Sequence, residues 1–409
     1  MEQLNQDAQA ILLLTTHFGE KGKGDHKPLA PTEWGRFARW LDDQSLFPGE
    51  LLTDNRENLL RGFQDNRISL ERIESLLNRG TTLALSVEKW SRAGLWIITQ
   101  SDPDYPQKLK KHLGYYSPPV LFGSGDRNLL NAKAIAAVGS RKVTDEDLKF
   151  SRSIGAQAAA GGFALVSGGA RGVDESSMLG ALEAEGTAVG ILADSLLKKS
   201  TSRIYRSHIQ RKNLVLISPF SPEAGFNVGN AMGRNKYIYC LSDAAVVVYS
   251  GRTGGTWSGA TENLKNNWVP LWVKKTDDAD SGNSDLVNLG GRWLPANVQD
   301  LDPDFLFGDS DEMVPEEPQV DGGEETPQEA HLSGMSVYEF FLIKLMDRLK
   351  VTPLTRKEIQ DFFNLTPGQL DAWLKRALED KKISKKSRPV RYEIFKNQKN
   401  DQLGMFNSK

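Results

Sequence analysis

Ala134-Ile135-Ala136-Ala137-Val138 runs into Gly139-Ser140-Arg141, and a helix-length segment later Phe163-Ala164-Leu165-Val166 runs into Ser167-Gly168-Gly169-Ala170-Arg171-Gly172-Val173-Asp174. Each is a short apolar run that reads as a strand, followed by a turn carrying glycine and arginine. In a parallel sheet both turns open on the carboxyl edge, where such folds bind ligands. Glycine lets backbone approach an oxyanion, helix-start amides point at it, and arginine adds a charged fork. The pair reads as a phosphate-gripping edge.

The same alternation extends outward. Leu95 to Thr99, Ala188 to Leu192, Leu214 to Ile217, Ala244 to Val248 and Val269 to Val273 are further strand-like runs separated by helix-length segments. This predicts an α/β core with a mostly parallel sheet over residues 91–297. Before it, Trp34, Phe37, Ala38 and Leu41, then Ile68, Ile73, Leu76 and Leu77, keep helical spacing, so residues 1–90 are expected to form a small helical domain.

After the core the composition changes. Residues 298–331 hold twelve Asp or Glu and no Lys or Arg, with Pro315, Pro318 and Pro327 among their prolines. Such a stretch cannot bury enough apolar surface to order itself, so 298–334 is expected to be a flexible acidic linker. From Ser336 to the end, sixteen Lys or Arg stand against nine Asp or Glu. Within this basic tail, Thr355 with Glu358 forms a capping box and Thr366-Pro367 opens a second helix. A basic segment from Lys381 then flows into the alternating Arg391-Tyr392-Glu393-Ile394-Phe395. Helix, turn, helix and hairpin is a winged-helix plan for 335–409, suited either to DNA or to a protein partner.

Composition narrows the chemistry. The chain has 409 residues and a net charge of −2, which excludes a uniformly basic nucleic-acid coat but not local patches. Its one cysteine, Cys240, leaves no intrachain disulfide and no metal site built on thiolates, and a reducing cytoplasm is the simplest setting; the expected binding mode calls on no metal or cofactor. The apolar run Ile11 to Leu14 is far too short for a membrane span or signal core.

Two further segments suit an anion. Gly233-Arg234-Asn235-Lys236 places two cations and an amide at the start of an otherwise apolar helix, and Thr253-Gly254-Gly255-Thr256 follows the strand Ala244 to Val248 and opens another helix. Asp174 is expected to be architectural, capping its helix and holding the glycine turn.

Taken in order, Asp102-Pro103-Asp104-Tyr105-Pro106, Pro118-Pro119-Val120-Leu121-Phe122, Val138 to Arg141, Ser167 to Asp174, Arg234 to Lys236 and the Gly-Gly-Thr loop resemble the DNA-processing protein A (DprA/Smf) family. The resemblance implies an extended Rossmann-like core that binds single-stranded DNA, forms a homodimer and helps load the strand-exchange recombinase in natural transformation. It places the DNA pocket on Gly139, Ser140 and Arg141, on Ser167 to Gly172, and on Arg234, Asn235 and Lys236. Three features depart from the family pattern. Glu175-Ser176-Ser177-Met178 stands where a histidine is usual, Lys198 to Tyr205 replaces a tyrosine-proline turn, and Pro219 to Glu223 replaces a glutamate before the fourth helix. These mark a divergent branch, open to roles such as defence against phage or other foreign DNA.

The expected mechanism is binding without chemistry: phosphates met by loop amides, Arg141, Arg171, Arg234 and Lys236, with salt-sensitive and sequence-tolerant affinity. Two alternatives stand beside it. One is a nucleotide N-glycosidic hydrolase using Glu262 after Gly254-Gly255-Thr256, and the other is a nucleotide-sensing module that signals through the tail.

Overall fold

The structure, a computed structural model, describes residues 4–19, 26–295, 303–307, 341–342, 345–346, 348–349, 353–363, 367–380, 382–386 and 390–394. Residues 1–313 and 314–409 form two compact units.

The first unit is built on a nine-stranded sheet in the order β1-β2-β6-β5-β4-β3-β7-β8-β9. The strands are β1 (Trp96–Thr99), β2 (Val120–Gly125), β3 (Ala134–Val138), β4 (Ala164–Ser167), β5 (Ala188–Ile191), β6 (Leu214–Ser218), β7 (Ala244–Val247), β8 (Leu271–Val273) and β9 (Arg292–Trp293). From β6 through β9 all neighbours run parallel, whereas β1 and β2 are antiparallel additions on the β6 side. The expected α/β, mostly parallel architecture is therefore what the chain adopts. The short β9 and the whole of β2, whose Val120-Leu121-Phe122 had been read only as a motif, are added to the predicted set.

Both faces of the sheet are covered, which is why its strands read as continuous apolar runs. Ile135 and Ala137 of β3 join one hydrophobic cluster, while Ala134, Ala136 and Val138 join the other, as the two-residue period of a strand requires. The helices of the first ninety-odd residues share the first of these clusters. Phe37, Leu76 and Trp90 belong to the same core as Phe122 and Leu165, and Trp90 stacks edge-on to Phe122 with ring centroids 5.1 Å apart. Glu223, in the segment flagged as departing from the family pattern, ties this layer to the sheet by pairing with Lys89 at 2.6 Å and accepting from Trp90 Nε1 at 3.3 Å.

One expectation is corrected here. Part of the acidic stretch is ordered and attached to the core: Pro303–Phe307 is a 3-10 turn whose Leu306 is 1% exposed. Trp272 Nε1 donates to the Leu306 carbonyl at 3.1 Å, and Phe307 packs on Phe163 at 4.9 Å. The aromatic pair Phe305 and Phe307 outweighs the acidic composition locally, because burying two rings and a leucine offsets the cost of ordering five residues. The rest of 298–334 lies outside the described residues.

Among the described residues the second unit has helices Arg356–Phe363 and Pro367–Glu379, further helical residues within 341–349, and an antiparallel hairpin, Ile383–Lys386 with Arg391–Ile394. Thr355 and Glu358 make the reciprocal capping bonds read from the sequence, and Pro367 opens the following helix. Thr366, the cap expected for it, lies outside the described residues. Phe341, Ile359, Leu374, Ile383 and Tyr392 form the unit's own core. Among the described residues no helix is long and apolar enough to cross a membrane.

Candidate functional site

The strand order reverses at β3: the chain moves through β4, β5 and β6 to one side and then through β7, β8 and β9 to the other. A crevice is expected outside the carboxyl ends of β3 and β7, where their following connections diverge. A cleft of about 390 Å³ lies there. It is lined by Gly139, Ser140 and Arg141 after β3, by Ala170 and Asp174 after β4, and by Gly254, Gly255 and Thr256 after β7. Helix α11 (Val228–Cys240) closes one side with Ala231, Arg234, Asn235 and Ile238, one face of a helix by their three- and four-residue spacing.

A second lobe of about 380 Å³ continues from it, sharing Arg141, Ala170, Phe226 and Arg234. Gly168, Gly169 and Arg171 line this lobe together with Glu175, Asp194 and Lys199. The three turns read as anion-binding thus converge on one continuous edge.

Close packing explains the glycines. Gly172 has φ +94° and is the N-cap of α8 (Val173–Glu183). Gly168 sits so tightly that a Cβ would lie 1.6 Å from Arg234 Nη1 and 2.4 Å from Asp174 Oδ2. Only hydrogen fits there.

The individual side chains divide into three groups. Arg141 is exposed, with its guanidinium carbon 5.2 Å from the Phe226 ring centroid, and Arg171 is also exposed. Phe226 itself is 58% exposed. These are free to meet a ligand. Asn235 is half-buried and donates to the Gly255 carbonyl at 2.9 Å, so it braces the Gly-Gly turn against α11. Ser140 Oγ accepts from the Lys142 amide at 3.2 Å, shaping its own turn.

Four expectations are revised. Arg234 does not project from a helix start, because α11 begins at Val228 with Asn227 as its cap, and Arg234 is 4% exposed beneath the cleft. Its Nη1 lies 3.9 Å from Asp174 Oδ2, and its Nε and Nη1 have no hydrogen-bond partner. Lys236 lines neither lobe and places its ammonium 5.2 Å from the Tyr237 ring. Ser167 is fully buried and donates to the Ala137 carbonyl at 2.6 Å, stitching β4 to β3 rather than reaching the edge. Asp174 is architectural as expected but not the N-cap: it lies in the first turn of α8, after the cap Gly172. Burial pushes its carboxyl up, against the pull of Arg234 and of the Ala170 and Gly139 amides. Burial likewise pushes Arg234 down, with Asp174 opposing. Pairing keeps both charges in place where either alone would be costly.

Glu262 of α12 (Gly255–Asn266), the residue that hydrolysis would require, is exposed and lines neither lobe. Among the described residues Asp174 is the only carboxylate lining the first lobe, and it already faces Arg234. Among the described residues no pair of carboxylates flanks that cleft as glycosidic cleavage needs.

Sequence reading missed Phe226, Lys199, Ser202 and Tyr205, which come from loops and short helices after β5 and β6. One signal was visible. Three of the four fall in or beside Lys198 to Tyr205, the stretch that departs from the family pattern.

Comparison with known proteins agrees with this geometry. The "DNA processing protein DprA" of Bacillus subtilis is 29% identical over 180 residues, covering 42% of this chain and 58% of that protein. "Protein Smf" of Synechocystis is 29% identical over 157 residues, covering 37% of this chain and 39% of its own length. The chain thus spans well under two thirds of the curated relatives it matches. The X-ray structure of DNA processing protein A from Streptococcus pneumoniae superposes with a TM-score of 0.51 at 18% identity, over 72% of this chain and 95% of that one, a likeness of fold. The family model described as DNA recombination-mediator protein A matches residues 96–302, just over half of the sequence and all nine strands of the sheet, and on that match the chain belongs to the DNA recombination-mediator protein A family.

Proposed function

We propose that this protein binds single-stranded DNA along the carboxyl edge of its sheet and acts as a recombination mediator rather than as an enzyme. The observation that carries the reading is the convergence of the turns after β3, β4 and β7 on one cleft, with exposed Arg141 and Arg171 and an exposed aromatic, Phe226, at its rim. Cations and loop amides meet successive phosphates, and Phe226 offers a face on which a base stacks. A duplex presents no free base to that ring, which favours a single strand. Arg234 acts from beneath as fixed positive charge and Lys236 has no part.

Loading of a strand-exchange recombinase, homodimer formation and service in natural transformation or in defence against foreign DNA belong to this reading as the family's implications. The tail's described helices and hairpin suit a winged helix, whose exposed Lys385 offers nucleic acid a contact of its own, while Lys386 pairs with Glu393 at 2.7 Å.

Fluorescence anisotropy of labelled oligo-dT and of a duplex of equal length tests it. Tighter binding of the single strand is expected, falling steeply between about 50 and 200 mM salt. Equal affinity for both, or none for either, overturns the proposal.

A further inference from the structure

The second lobe of the cleft contains chemistry that a strand held by Arg141 does not use. Lys198 to Tyr205 folds into two short helices, α9 (Leu196–Ser200) and α10 (Arg203–Gln210). Tyr205 is 4% exposed and lines the lobe, yet its hydroxyl has no hydrogen-bond partner. Ser202 occupies the N-cap of α10 without accepting the usual helix amide, and its hydroxyl is also unpartnered. The first-turn amides of α10 have no intrahelical acceptor. Arg234 adds from below two nitrogens that make no hydrogen bond, Nε and Nη1, the latter 3.9 Å from Asp174.

Unsatisfied buried donors are rare because each costs about 1–3 kcal/mol, so several around one concavity call for an acceptor. The charge of the lining identifies its sign. Arg141, Arg171, Lys199 and Arg234 face two carboxylates, Glu175 and Asp194, with Asp174 opposing Arg234 from beneath. Lys199 makes only a 3.4 Å contact to the Gly169 carbonyl. Burial holds the Tyr205 hydroxyl at about 12, so it donates at neutral pH.

We propose that this lobe is a subsite for one phosphate monoester, held by Lys199, Tyr205, Ser202 and Arg234. A monoester offers three terminal acceptor oxygens, which suits this set of donors lacking hydrogen bonds better than the two free oxygens of an internal phosphodiester. The group comes either from the phosphorylated end of a bound strand or from a free nucleotide. In the first case the inference rests on the single-strand reading, and in the second it stands without it.

Calorimetric titration of the full chain with dTMP and thymidine, and anisotropy with oligo-dT bearing a 5′-phosphate, a 3′-phosphate or hydroxyl ends, tests the subsite. Lys199→Gln and Tyr205→Phe are compared with the parent, the latter keeping the ring that fills the core. A phosphorylated end that tightens binding about tenfold, lost in either variant, supports the strand-end source. Binding of dTMP but not thymidine, weakened about tenfold in either variant without any end preference, supports the free nucleotide. If no phosphorylated probe binds better than its hydroxyl counterpart, or if both variants match the parent, the subsite is refuted. Oligo-dT with hydroxyl ends that still binds would then leave the single-strand reading intact. Conversely, dTMP binding with no oligonucleotide affinity would sink that reading alone.

Discussion

Nη1 of Arg234 lies 3.9 Å from Oδ2 of Asp174, and Gly168 is pressed against both. Three residues from two different connections therefore form one buried polar contact under the cleft, and its integrity controls the shape of the turn above it.

Gly168→Ala should displace that contact. The new methyl would overlap Arg234 Nη1, and the neighbours are a buried guanidinium and a helix-bound carboxylate rather than free side-chain ends. Urea denaturation should show a loss of about 1–3 kcal/mol, and oligo-dT affinity should fall with it. Stability equal to the parent would mean the turn has slack that the structure does not show.

Arg234 and Arg141 should separate cleanly. Arg234→Ala leaves Asp174 buried without its partner, a loss of about 3–5 kcal/mol for such pairs. Arg141 is exposed, so Arg141→Ala should leave stability within about 0.5 kcal/mol while reducing the slope of log affinity against log salt by about 1. Thermal melts beside salt-dependent anisotropy check both halves, and Lys236→Ala should change neither by much.

Leu306→Ala probes the attachment of the acidic stretch. Leu306 is 1% exposed in a core shared with Trp272 and Phe163, so truncation should cost about 2–4 kcal/mol in chemical denaturation. A residue in a free linker would give no change.

Acid should weaken one contact of the helical layer. Arg36 holds the Asp65 carboxyl down to about 2 through its side-chain hydrogen bond, against burial and with help from the Arg67 and Ile68 amides. A folded pKa below the unfolded one means the contribution is complete above about pH 4 and disappears as pH falls toward 2. Asp65→Asn should flatten the stability curve in that window and lower the plateau above it. An unchanged acid limb would show that the pair is solvated and contributes nothing.

Much of this architecture was written in one-dimensional pattern. Apolar runs of four or five residues between helix-length segments specify a doubly covered parallel sheet, because period-two alternation with both faces buried leaves no polar position. Glycine and arginine immediately after β3 and β4 then place an anionic site on the carboxyl edge, since strand direction alone sends both turns to one side. Capping pairs such as Thr355 with Glu358 are equally local. Helical phase is not local. Moving the start of α11 from residue 233 back to Val228 leaves Arg234 and Lys236 in mid-helix, about 200° apart around the axis, so one faces the cleft and the other does not. Nor does spacing announce that Lys199 and Tyr205 come to lie beside Gly169, or that two rings in an acidic stretch find Phe163 and Trp272. Those outcomes depend on which surfaces meet after the chain has closed over long sequence separations, and the energy that selects them, burial of apolar area and pairing of buried charge, exists only once they have met.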